Sequence, residues 1–303
     1  MYIEQLLKFK KNNLVLYLPI PLLFLGIMAL NFVAILLLDL DVNEIIKKEI
    51  STKGVNRFFV ESMIPFVIGI VFLFLWVYFL HKQSIKSLTT SRPKVDWKRV
   101  FFSFSTWALF IIVSTLLLYF NSPENFVLIF NPSKFFGFLI LALLLIPIQT
   151  SFEEYLFRGY MMQGLGLATM KKIYPLLITS FLFGIMHISN PEVEKMGYIV
   201  LIYYIGTGLF LGIITLMDQG IELALGFHAA NNLIGALLLT ADWSAFQTHS
   251  IFKDISSPTA GTDVLFPVFI VYPLLLLLFS KKYQWTNWKQ KLIGKIEETP
   301  AEF

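Results

Sequence analysis

The chain has 303 residues, is 56% apolar with 31 Phe, and is charged at only 15% of positions, where soluble domains are charged at about 25%. It contains no cysteine, which excludes disulfides, thiolate metal sites and thiol nucleophiles. Its net charge of +4 is small, so the placement of charge says more than its size. Apolar runs of 18 or more residues recur, each long enough to cross a hydrocarbon core of about 30 Å as a helix. The sequence therefore predicts an all-α, polytopic membrane bundle.

Eight spans are predicted, near 14–38, 58–80, 100–120, 135–165, 174–190, 197–217, 221–240 and 263–280. The first is too long for a signal-peptide core and is expected to be retained. Glu61 lies near the start of the second and is expected to be interfacial. The fourth would be about 45 Å long if straight, and Pro147 predicts a kink or break within it. In the sixth, Gly208 and Gly212 of GTGLFLG predict a close helix contact inside the chain.

Segments 1–13, 81–99, 166–173, 218–220 and 281–303 hold 16 Lys/Arg residues, against seven in the alternate segments. This bias predicts that both termini face the cytosol, most simply across a plasma membrane. The basic stretch 81–99 is read as a loop obeying that bias rather than as a nucleic-acid patch. Loop 241–262 is the longest on the outer side and shows no motif. The tail 281–303 is expected to be a mobile cytosolic end.

Ionisable residues inside spans are costly and usually line polar cavities. Here they form an ordered series: Glu153, Glu154 and Arg158 in SFEEYLFRGYM, His187 in SFLFGIMHISN, then His228, Asn231 and Asn232 in LGFHAANNL. Glu154 and Arg158 are i,i+4 and share a helix face, as do Phe183 with His187 and His228 with Asn232. Glu153 points about 100° away from Glu154. Three helices thus offer polar edges that, if they converge, enclose a carboxylate, two imidazoles and an amide. A desolvated carboxylate can activate water as a general base, a histidine can shuttle the proton, and imidazole and amide N–H groups can hold an oxyanion. Glu153, His187 and His228 are equally a ligand set of catalytic zinc, and the sequence leaves both schemes open. There is no H-E-x-x-H and no G-x-S-x-G.

EEYLFR fits E-E-x-x-x-R, FGIMH fits F-x-x-x-H and HAANN fits H-x-x-x-N. In this order on successive spans, over about residues 135–240, they resemble the type II CAAX prenyl protease and bacteriocin-processing (CPBP, abortive-infection-like) family of intramembrane proteases. The resemblance implies Glu153 as the base that activates water with help from His187. It implies His228 and Asn232 as oxyanion donors, Glu154 with Arg158 as a structural pair, and Phe183 as pocket wall. It divides the chain into an N-terminal membrane region (1–130), a catalytic membrane core (131–245), and an outer loop, last span and tail (246–303). Family members have been described both as zinc enzymes and as metal-independent glutamate-type proteases, so zinc is a possible cofactor. The expected substrate is a membrane-associated or lipidated protein or peptide in the bilayer, cut near the cytosolic side in peptide maturation or bacteriocin immunity. Nucleic acid is not an expected partner.

The competing reading is a proton-coupled transporter or a non-catalytic scaffold, since proton relays use the same residues; no paired halves with broken helices are visible. One geometric condition stands against convergence. If spans five and seven both start at the cytosolic surface, His187 lies about 20 Å in and His228 about 11 Å in. One of the two spans must start deeper than the surface.

Overall fold

Each of the eight apolar runs falls on helix in the computed structural model, which describes residues 2–8, 14–258 and 261–297. Among the described residues, six helical stretches are long and apolar enough to cross a membrane: Leu14–Leu37, Val55–Phe79, Trp97–Asn121, Pro132–Thr169, Val200–Asp218 and Val264–Tyr283. The other two predicted spans are shorter. Ile173–Ile185 has 13 residues and Glu222–Leu238 has 17, so the expected count of eight full crossings is met by six long helices and two short ones.

The first span is α1 (Pro19–Leu37), followed by the polar helix α2 (Val42–Lys53). Asp41 caps α2 by accepting from the Glu44 N–H, a common start signal. Gly54, at φ +80°, ends α2 and opens α3 (Val55–Phe79), a backbone angle suited to glycine. Glu61 bonds Lys53 and Arg57 at 2.9 and 2.8 Å near the start of α3. The short helix α4 (Ile85–Thr89) and α5 (Trp97–Asn121) follow. Strand β1 (Phe126–Leu128) then leads to α6 (Pro132–Glu154).

Of the kink or break expected at Pro147, the break is not present: α6 runs through it to Glu154 as one helix. The carbonyl that Pro147 leaves without its helical N–H is that of Leu143; one residue before the proline, the Ile146 carbonyl accepts the Thr150 hydroxyl at 3.0 Å. The irregularity comes later, as a π-helical turn at Tyr155–Met161 before α7 (Met162–Thr169). Such turns often mark functional sites, and this one carries Arg158.

Next come α8 (Ile173–Ile185), the short α9 (Pro191–Met196), α10 (Val200–Asp218) and α11 (Glu222–Leu238). Strands β2 (Leu239–Ala241) and β3 (Phe252–Asp254) join β1 in a small sheet of order β1-β3-β2 at the end of the bundle away from the termini. The chain finishes with α12 (Thr262–Phe266), a π-helical turn at Pro267–Val271, α13 (Tyr272–Tyr283) and α14 (Trp288–Ile293).

α11 is the centre of the bundle, packed on α5 and α6, with Phe227, Ala224 and Ala230 fully buried. α8 and α10 pack tightly through glycines. A Cβ on Gly208 would come within 2.6 Å of the Ser180 carbonyl oxygen, so the expected internal small-residue contact is between these two helices. Exposed leucine, isoleucine and phenylalanine side chains cover the outer faces of α1, α3, α5, α6 and α13, as lipid-facing surfaces require.

The tail differs from expectation over its described part. Trp285 is buried and donates to Asp218, Lys291 donates to the Met217 carbonyl, and Ile296 N–H donates to Met170. Residues 284–297 are therefore docked on the basic end; the last residues, 298–303, lie outside the described residues.

The depth condition is met at α11. The α10–α11 turn is covered by the 84–96 segment and the tail, with Asp218 and Glu222 buried. Arg92 bonds both carboxylates, and Arg99 also pairs with Asp218. α11 thus starts beneath a protein layer, while His187 follows the last turn of α8, about 20 Å along. Both imidazoles approach Phe183, with ring centroids at 5.0 Å for His187 and 5.7 Å for His228.

Candidate active site

Glu153 ends α6 with its carboxylate buried between α6 and α11. Four residues earlier on the same face, Gln149 donates to Glu153 Oε1 at 2.5 Å. Gln149 in turn accepts from Asn232 Nδ2 at 3.0 Å, so one amide ties the two helices and aims the acid. The other carboxylate oxygen, Oε2, is buried without a hydrogen bond and lies 3.6 Å from His228 Nε2.

Glu154 takes the opposite role. Its Oε1 accepts from Arg158 at 2.9 Å, and both side chains are fully buried. The guanidinium also donates to the Gly208 carbonyl at 3.2 Å and lies 4.1 Å from the centroid of the Phe183 ring. The expected Glu154–Arg158 pair is present, with one addition: His228 Nδ1 is 2.7 Å from the same Glu154 oxygen. Glu154 therefore fixes the His228 ring, as a carboxylate behind a working imidazole does.

His187 Nδ1 lies 2.7 Å from the Phe183 carbonyl. A carbonyl only accepts, so Nδ1 carries the proton and Nε2 presents a lone pair in the neutral ring. The ring is stacked on Tyr204, with centroids 4.3 Å apart and planes at 10°.

Glu153, His187, His228 and Asn232 all line one cavity of ≈ 380 Å³, with Phe183 in its wall. The four side chains that the sequence singled out are thus brought together. Asn231 accepts from Trp107 Nε1 at 3.1 Å, which ties α5 to α11. It also lines the cavity and donates to Asn232.

Sequence reasoning missed Gln149, Asn190, Glu192, Tyr203 and Tyr204, which line the same cavity. Gln149 had a readable signal, a lone amide four residues before Glu153 on the same face. The others sit on α9, its approach and α10, and no spacing points to them.

The zinc set fits less well. Glu153 and His228 stand at a separation that two ligands of one ion can have. Among the described residues, however, no three His, Asp or Glu side chains are grouped to hold an ion. His187 does not complete the triad that catalytic zinc uses, so no step below is routed through a metal.

The cavity is closed toward the basic end. Tyr2 donates to the Leu88 carbonyl and lies 3.2 Å from that of Arg158. Gln83 donates to Gln163 at 2.9 Å, and Gln163 to the Ser87 carbonyl at 3.0 Å. Tyr2, Leu88, Arg158, Tyr160 and Gln163 are each at most 1% exposed. Of the half-buried lining residues, Phe58, Ser62, Asn190, Glu192, Ala245 and Phe246 lie toward the other end, while others such as Asn232 and Tyr204 lie deeper in the bundle. The expectation of a cut near the side of the termini is not matched by this shape, because the N-terminal segment and α4 seal that side.

Residues 132–234 match the model of the Rce1-like, type II CAAX prenyl endopeptidase family, a stretch that includes every residue of the three motifs. The chain is also 32% identical to the uncharacterized protein YyaK of Bacillus subtilis (strain 168) over 197 residues. That match takes in 65% of this chain and 64% of the relative, just under two thirds of its length. No solved structure matches. The stretch that holds the cavity's acid, imidazoles and amide is thus the part of the chain that matches the Rce1-like, type II CAAX prenyl endopeptidase family.

Proposed function

We propose that the chain is an intramembrane endopeptidase that hydrolyses a peptide bond in a membrane-associated or lipidated polypeptide. The observation that carries this reading is a pair of free acceptors, Glu153 Oε2 and His187 Nε2, on one buried cavity. A water held between them has acceptors for both of its protons. Glu153 takes one as the water oxygen attacks the scissile carbonyl carbon, a general-base contribution of about 10²–10⁴ in rate.

The carbonyl oxygen then carries negative charge. Asn232 Nδ2 spends one N–H on Gln149 and has a second for this oxyanion. His228, whose Nδ1 is held at the Glu154 carboxylate, turns its other ring nitrogen to the cavity and serves as a second donor to this oxygen when Nε2 carries a proton. Collapse of the intermediate breaks the C–N bond, and the proton held by Glu153 passes to the leaving amine, directly or through His187. The closed basic end and the packed aromatic wall keep bulk water out, which strengthens each of these interactions.

A transporter or scaffold would also bury such groups, but neither needs an amide linked to the acid beside two free acceptors. The test compares peptide ends in membranes holding the wild-type chain and Glu153→Gln. New termini that appear with the wild type and vanish with Glu153→Gln support the reading; identical sets of termini overturn it. The same comparison with a chelator tests zinc: cleavage lost to the chelator and restored by added zinc assigns a metal to the site, and cleavage untouched by the chelator leaves the metal-free scheme.

A further inference from the structure

The cavity's opening and the charge bias of the loops lie at opposite ends of the bundle. The Lys/Arg-rich end holds the α3–α5 connection, the α10–α11 turn and the tail, and there the site is sealed by buried Tyr2, Leu88 and Gln163. Toward the opposite end the cavity is lined by half-buried residues, Phe58 and Ser62 at the start of α3, Asn190 and Glu192 before α10, and Ala245 and Phe246 between β2 and β3. All of these belong to segments at the end with fewer Lys/Arg residues. Positive charge is retained on the cytosolic side.

We infer that the site takes its substrate from the extracytosolic face: a polypeptide anchored in or lying on the outer leaflet, not a C-terminal tail offered from the cytosol. This rests on the reading of the cavity as a peptidase site. A neighbouring feature fits an incoming polypeptide. The strap 242–246 separates the site from a second cavity of ≈ 360 Å³, which Asp242 and Trp243 line. In it, Asn43 is 2% exposed with neither amide atom hydrogen-bonded among the described residues, and Trp243 Nε1 is equally unpartnered. Buried amide and indole groups left without partners are costly. A peptide backbone laid across the strap offers both carbonyl and N–H groups. At the rim of the catalytic cavity, Glu192 Oε2 is likewise buried and unpartnered, a receptor for an N–H or a cationic group of the same segment.

The absence of native cysteine makes the test direct. Ser62→Cys, Ala245→Cys and Lys94→Cys are each introduced into the full chain and exposed in intact cells to a membrane-impermeant maleimide, before and after permeabilisation. The inference expects Ser62→Cys and Ala245→Cys to be labelled in intact cells and Lys94→Cys only after permeabilisation. The reverse pattern overturns it, as does Ser62→Cys labelled only after permeabilisation even where Ala245→Cys reacts from outside. Inside-only labelling with loss of cleavage in Glu153→Gln discards this orientation and keeps the peptidase. Outside labelling with full cleavage in Glu153→Gln does the opposite.

Discussion

Two adjacent glutamates with identical chemistry are separated by what surrounds them. Glu154 gives one oxygen to Arg158 and His228, while Glu153 gives one to the Gln149 amide; each keeps a second oxygen without a hydrogen bond among the described residues, but only Glu153 lines the cavity, with His228 Nε2 3.6 Å away. Arg158→Ala would leave Glu154 as a buried charge with only an imidazole beside it, and breaking such a pair costs about 3–5 kcal/mol. The expected outcome is a large fall in melting temperature in detergent. Arg158→Lys should not restore it, because a lysine cannot serve Glu154, the Gly208 carbonyl and the Phe183 face together. Asn232→Ala should fold and lose about 10²–10³ in turnover, as removal of one oxyanion donor does. Gln149→Ala works through its neighbours, freeing both Glu153 and Asn232. A loss of up to about 10²-fold from misplacement is expected, restored in part by Gln149→Asn and visible in turnover with little change in melting temperature.

At the scale of elements, the sequence carried the spans and the three polar edges, since both follow from local spacing. It could not show that α6 would run through Pro147 and defer its irregularity to Tyr155–Met161, because this depends on packing around the buried Arg158. Nor could it foresee that the tail docks, because Trp285 needs the distant Asp218 as its partner. α9 supplies a residue that no motif marked. Burial pushes the Glu192 carboxyl above its ordinary range, against the pull of the Ala245 N–H. An acid whose pKa is raised on folding binds its proton more tightly in the native state. Its stabilisation is complete below the unfolded value of about 4.3 and is lost as pH rises through the folded one. Glu192→Gln should therefore flatten the fall in stability with rising pH above that point, read from melting temperatures across pH. An unchanged pH profile would contradict the burial described for Glu192.

For the whole molecule, the family resemblance and the four converging side chains were legible because the chemistry sits in three short motifs. The direction in which the site opens was not, because it is set by long-range contacts: Tyr2 with Leu88 and Arg158, Gln83 with Gln163, and Ala245 with Glu192. The depth mismatch between His187 and His228 was resolved in the same way, by Arg92 and Arg99 covering the start of α11. The account turns on a division of labour between Glu153 and Glu154, and the most direct measurement is cleavage of an identified substrate by purified Glu153→Gln alongside its melting temperature. The account predicts a wild-type melting temperature with cleavage reduced by about 10²-fold or more; cleavage at the wild-type rate in a folded Glu153→Gln chain would contradict it.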